Sequence, residues 1–193
     1  MNLKKLVTAA VCTMLMAAVA FTGGCGGEKK SDKKVLKVGM ECAYAPYNWS
    51  QTKADGGAVK IAGSNEYAYG YDVMMAKKLA DSMGADLEIH KIEWDGLAPA
   101  VVSGKIDAAI AGMSITSKRK ETVDFTKPYY YATVVALVKK DSEQAKAQSV
   151  ADLKGSVATS QLNTIWYDQI DQVPDVKKLP AIDTVPGMIV ALT

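Results

Sequence analysis

A single histidine, His90, and three cysteines leave this 193-residue chain poor in side chains that hold metals or attack substrates. His90 lies between Ile89 and Lys91 in a strand-like run and reads as a surface residue. One imidazole and one spare thiol make no ligand cluster, so no metal or other cofactor is expected. The same scarcity removes Ser–His and Cys–His pairs, which argues against an enzyme. No disulfide framework is available either. Cys12 falls in a leader segment and Cys25 at its end, which leaves Cys42 alone, so stability has to come from an apolar core. Charge of one sign is missing as well: 23 Lys and Arg face 21 Asp and Glu. The formal net charge is +2, and removal of Lys4 and Lys5 with the leader takes it to 0. A neutral mature chain without a basic block beyond the tether argues against nucleic acid as a partner.

What is present at the N-terminus is a targeting pattern. Lys4 and Lys5 precede a largely apolar run from Leu6 to Phe21, shorter than the about 20 residues of a membrane span. Thr22-Gly23-Gly24 then leads to Cys25, with Gly26-Gly27 and polar residues beyond. Small residues before a Cys resemble a bacterial lipoprotein signal, in which the Cys is lipidated and becomes the new N-terminus. Thr22 stands where that signal usually carries an aliphatic residue. The expectation is a signal peptide over 1–24, a lipid-anchored tether over 25–34 and an extracytoplasmic protein held at a membrane.

Beyond the tether, Val35–Met40 reads as a strand and 41–69 as a long irregular stretch. Asp72 is placed to cap a helix with Val73, Ala76, Leu79, Ala80 and Met83 at helical spacing and Gly84 as the stop. Leu87–Ile92 alternates as a strand, and Asp95 is placed to cap a second helix through Leu97, Val101 and Val102. Ile106–Ala111 reads as a strand buried on both faces. Strand and helix in alternation predict an α/β lobe over 35–138, whose ligands sit beyond the strands' carboxyl ends. Those ends are Glu41–Tyr44, Trp94–Asp95 and Gly112–Ser114.

A β-branched run, Thr133–Lys140, leads out of that lobe, and a second α/β lobe starts over 139–193. Its elements are a Ser149–Asp152 capping box, a strand near Val157, a helix from Ile165, a strand near 176–179 and a helix opened by Asp183-Thr184 and Pro186. The chain stops inside that helix, which reads as a truncated chain with an incomplete second lobe.

Three strand-end residues, Glu41, Tyr44 and Trp94, and Arg119 just beyond the third strand carry chemistry. Arg119 follows the Gly112-Met113-Ser114 turn, where a guanidinium fork suits a planar carboxylate, although a surface Arg between Lys118 and Lys120 fits the spacing equally. Tyr44 and Trp94 end different strands on one rim and read as capping aromatics or as stacking faces. Glu41 is a solvated loop acid or a selector of amines, guanidinium groups and amides.

The runs "VGMECAYAPYNW", "GYDVMMAKKLA", "EWDGLAPAVVSGKIDAAIAGMSIT" and "KRKETVDFTKPYYY" resemble the extracellular solute-binding proteins of polar amino-acid ABC importers, in the same order along Val35–Thr193. The resemblance implies a type II periplasmic-binding-protein-like fold, two α/β lobes closing by a hinge on an amino acid. It implies that Arg119 holds the α-carboxylate, while Gly112 and Ser114, flanking Met113, accept from the α-ammonium. Tyr44 and Trp94 would sandwich the side chain and Glu41 would meet its polar end. The family's second-lobe turn, Gln-x-Gly-Thr, stands here as Gln161-Leu162-Asn163-Thr164, with Asn163 in the glycine position and Thr164 donating its backbone N–H to the carboxylate. Asn tolerates the left-handed conformation that a glycine would have supplied.

Glu41 beside two aromatics points to a cationic amino acid, since an acidic side chain would meet like charge. The implied partners are that amino acid and a membrane permease, with the binding protein a monomer. The resemblance also implies an Asp for the ammonium beyond the position of Thr193, so weak or no binding is expected of the 193-residue chain and good binding of the full-length product. Two other roles share the fold: a sensor feeding a receptor, and an enzyme resembling cyclohexadienyl dehydratases, with Glu41 as its general acid.

Overall fold

The computed structural model describes residues 33–193. The leader, Cys12, Cys25 and most of the expected tether lie outside the described residues. Within them, no helix is long and apolar enough to cross a membrane.

The first region is built on β1 (Val35–Met40), whose Leu36, Val38 and Met40 are buried. It lies at the centre of a parallel sheet, between β6 (Asp86–Lys91) and β7 (Ala108–Ala109). Val38 pairs with Ile89 on one side and Ala108 on the other. Helix α1 (Tyr71–Met83) lays Val73, Ala76 and Ala80 on the core, the one-face spacing of an amphipathic helix. Gly84, in the left-handed conformation, ends it by donating to the Ala80 and Asp81 carbonyls. A second helix, α2 (Leu97–Val102), presses Leu97 close to Gly39, where an added Cβ would come within 2.5 Å of Ile106 Cδ1 and 3.1 Å of Leu97 Cδ2. The absence of a side chain on Gly39 is what lets this layer pack.

Several expectations change here. The stretch 41–69 is a four-stranded antiparallel sheet, β2 (Ala43–Tyr44), β3 (Asn48–Gln51), β4 (Val59–Lys60) and β5 (Tyr67–Tyr69), in the order β2-β3-β5-β4. Its strands are too short for alternation to register, and cross-strand pairing supplies the order instead: Trp49 faces Tyr69 with ring centroids 5.1 Å apart. Asp72 caps nothing; Gly70 precedes the helix, and Asp72 is a fully buried residue of its first turn. Asp95 likewise sits within a tight 3-10 turn, Trp94–Gly96, that leads into α2. Leu79, Met83 and Val102 face solvent. Only Ala108 and Ala109 of the run 106–111 join the ladder, and residues 108–110 are half-buried, with β7 an edge strand of the sheet. His90 is half-buried, its ring bonded to Glu88 at 2.6 Å.

The run 133–140 forms no strand; no neighbouring segment offers it a ladder among the described residues, and Val134, Val135 and Leu137 stay exposed. The second region follows the expected order closely. The Ser149–Asp152 capping box opens a 3-10 turn, and β8 (Val157–Ala158) pairs in parallel with β9 (Lys177–Lys178). A short helix α3 (Ser117–Lys120) lies before it, α4 (Ile165–Gln169) within it, and α5 (Val185–Leu192) is capped by the Thr184 hydroxyl with proline in its first turn.

Candidate amino-acid site

Because β1, β6 and β7 run parallel, their carboxyl ends share one rim, and Glu41, Trp94 and Gly112 follow directly from them. The loop 159–164 of the second region meets this rim. It is anchored by Leu162 N donating to Ile182 O at 2.9 Å and by Ile182 N donating to Ser160 O at 3.0 Å. Asn163 is left-handed at φ 55°, the conformation expected of an Asn in a glycine position.

Arg119 lies in α3, where the Thr116 hydroxyl accepts from its backbone N–H. Its guanidinium donates to the Ser114 carbonyl at 2.7 Å and, across the two regions, to the Asn163 carbonyl at 2.9 Å. It also lies over the Trp94 ring, 5.4 Å from the centroid. Trp94 Nε1 donates to the same Asn163 carbonyl at 3.3 Å, and Asn163 Nδ2 donates to Asp95 at 2.9 Å. One backbone oxygen thus collects an Arg and a Trp donor. Half-burial lowers the pKa of Arg119 from its ordinary value, and Asp168 on α4 opposes that shift.

Glu41 is buried and accepts from Gln161 Nε2 at 2.7 Å; the same amide donates to the Asp183 carbonyl at 2.9 Å. Burial pushes the Glu41 carboxyl up to about 7; the Gln161 bond pulls it down, and Glu93 and Asp95 add to the rise. Thr164 is buried with its hydroxyl donating to the Gln161 carbonyl at 2.7 Å and accepting from Tyr167 N. That hydroxyl holds the turn, and Gln161 and Asn163 make the contacts to the first region.

Tyr44 and Trp94 have different neighbours. The Tyr44 ring lies 4.8 Å from Tyr47 and 5.9 Å, edge-on, from Trp166 of α4. It lines a cavity of about 290 Å³ with Gly112, Met113, Ser114 and Trp166. Trp94 lines another of about 170 Å³ with Glu93, Asp95, Leu162 and Asp183, whose three carboxylates suit a cation. Met113 also packs against the core. Sequence reasoning missed Trp166, and it read Asp95 and Asp183 as helix starts without giving either a part in the site. It also missed the true place of Asp72, although "GYD" stood among the residues that carried the resemblance.

The family profile of the bacterial extracellular solute-binding proteins, family 3, matches residues 36–178. The chain belongs to this family. Among relatives of this solute-binding protein, the arginine-binding extracellular protein ArtP of Bacillus subtilis is 31% identical over 167 residues, which cover 86% of this chain and 59% of that protein. The chain therefore spans about three fifths of the length of that relative. Among solved structures, an ancestral arginine-binding protein bound to arginine superposes with a TM-score of 0.68 at 32% identity, covering 83% of this chain and 66% of the other. The ancestral amino acid-binding protein AncCDT-1, a precursor of cyclohexadienyl dehydratase, gives 0.68 at 31% identity, covering 82% and 65%. The α/β, two-lobe, type II periplasmic-binding-protein-like fold is thus the fold of this chain.

Proposed function

We propose that this solute-binding protein captures a cationic amino acid, with arginine the leading candidate, and presents it to a membrane permease. The observation that carries this reading is the Asn163 carbonyl held by Arg119 and Trp94. A carbonyl oxygen occupies the place of a ligand carboxylate oxygen there. A carboxylate adds a full opposite charge and can take the guanidinium with two parallel bonds, which a neutral carbonyl does not offer, so a ligand would displace it.

Residues 35–138 act as the docking lobe and 139–193 as the closing one. Arg119 takes the α-carboxylate, Gly112 and Ser114 face the α-ammonium, and Tyr44 and Trp94 flank the side chain. Glu41, with Gln161 beside it, meets the cationic end. Thr164 and Asn163 add the contacts that favour the closed state. Cys25, once lipidated, holds the protein at the outer face of the membrane as a monomer. No bond is made or broken, and no cofactor takes part.

Calorimetry of the full-length protein against the common amino acids tests the reading. Arginine and lysine bind, Arg119→Ala abolishes binding, and Glu41→Gln weakens arginine more than glutamine. An Arg119→Ala protein that binds as well as the parent overturns it. A dehydratase on the same fold is favoured by one observation: a Glu41 carboxyl at about 7 is matched to general-acid work. Loss of prephenate or arogenate absorbance on incubation would establish it.

A further inference from the structure

Asp72 is fully buried without a cation among its bonded partners, and the ligand site described above does not use it. A buried carboxylate needs hydrogen bonds to offset lost solvation, and Asp72 obtains them from two directions. Its Oδ2 accepts from Asn48 Nδ2 at 2.7 Å, and Asn48 Oδ1 accepts in turn from Cys42 N at 2.8 Å. Its Oδ1 accepts from the Tyr129 hydroxyl at 2.8 Å, and that hydroxyl accepts from Gly112 N at 2.9 Å. Two relays of equal length therefore end on two backbone N–H groups. Both donating residues are left-handed, Cys42 at φ 56° and Gly112 at φ 63°, and both sit where a strand of the parallel sheet opens onto the rim.

The consequence is geometric. Cys42 follows Glu41 and Gly112 precedes Met113 and Ser114, so the two relays fix the backbone on either side of the ligand space. For Cys42, a non-glycine residue, the left-handed conformation carries strain that a specific bond has to hold. Tyr129 is itself tied down, since the Tyr71 hydroxyl donates to its carbonyl at 3.1 Å and the two rings stack at 6.1 Å.

We propose that Asp72 is a positioning residue: through Asn48 and Tyr129 it sets the ammonium-facing turn at Gly112 and the side-chain-selecting turn at Glu41–Cys42 together. This rests on the proposed amino-acid site, and it adds a residue that touches no ligand. Asp72 couples the two ends of the ligand space, so a disturbance at one relay reaches one end and a disturbance at Asp72 reaches both.

The test is the amide spectrum of the isotope-labelled chain, read without ligand, together with the arginine affinity of the full-length protein by calorimetry. Tyr129→Phe removes one hydroxyl and keeps the ring; it moves the Gly112 amide, leaves that of Cys42 in place and weakens arginine about tenfold. Asp72→Asn removes the shared charge and moves both amides. A core control, Val73→Ala, lowers the melting temperature and leaves both amides and the affinity unchanged; Val73 is fully buried and outside the relays. The proposal is overturned if Tyr129→Phe leaves the Gly112 amide or the affinity where it was. It is equally overturned if Val73→Ala moves both amides as Asp72→Asn does. Should Asp72→Asn fail to fold, Tyr129→Phe decides alone. Failure of the full-length protein to bind any amino acid overturns the proposed function instead, and the amide shifts still decide the relays.

Discussion

Every fully buried apolar side chain among the described residues lies between Leu36 and Ala111. From residue 157 onward the buried residues are Ser160, Gln161 and Thr164, all polar and all in the loop that meets the first region. The first region thus folds on an apolar core, and the second is placed by hydrogen bonds. Apolar burial is non-directional and tolerates no large gap, whereas a polar contact can be exchanged for water or ligand at little net cost. A protein that closes on a solute needs one element of each kind: a rigid face that keeps its geometry and a partner whose attachment is replaceable.

The largest effect that would break this contrast is a core truncation. Ile89 is fully buried in β6, and Ile89→Ala should lose about 2–5 kcal/mol in urea denaturation. Ile189→Ala, half-exposed in α5, should stay within about 0.5 kcal/mol. Comparable losses at the two positions would mean that both regions rest on apolar packing. Next in size is Gln161→Ala, which strands the buried Glu41 carboxyl and the Asp183 carbonyl; its cost is about 1–3 kcal/mol. Hydrogen exchange should then speed up over 157–182 and leave β1 unchanged. A uniform rise along the chain would contradict the contrast.

The most gradual effect is a pH dependence at the joint. Folding raises the Glu41 carboxyl from 4.5 to about 7, so the ligand-free folded chain holds an extra proton between those values. Stability from this group is full below the lower value and is lost as pH rises through about 7. A cationic ligand requires the ionised form, so arginine affinity should fall up to about tenfold per unit as pH drops below 7. Melting curves and calorimetry from pH 5 to 8 read both slopes, and Glu41→Gln should flatten them. A slope that survives the substitution would assign the proton to another group.

Much of this was legible in the sequence, for reasons that differ by element. Val35–Met40, the Gly84 stop, the Ser149–Asp152 box and the Thr184-Pro186 helix start each obey a rule confined to a few residues. The left-handed Asn163 was likewise foreseeable from its residue type. The antiparallel sheet over 43–69 was not, because two- and three-residue strands acquire their order only from partners. Asp72 was misread because a helix cap and a buried first-turn acid look identical in one dimension; Asn48 and Tyr129, 24 and 57 residues away, decide between them.

By itself, then, the sequence determined the alternation of strand and helix, the family and the residue types at the rim, since these depend on local pattern and covalent order. Only the tertiary structure decided which of those residues meet. It set Arg119 and Trp94 on one carbonyl, joined Glu41 to Gln161 across 120 positions and gave Tyr44 a different neighbourhood from Trp94. Such contacts join residues far apart in the chain, and their geometry comes from the packing of the layers between them, which no short stretch encodes.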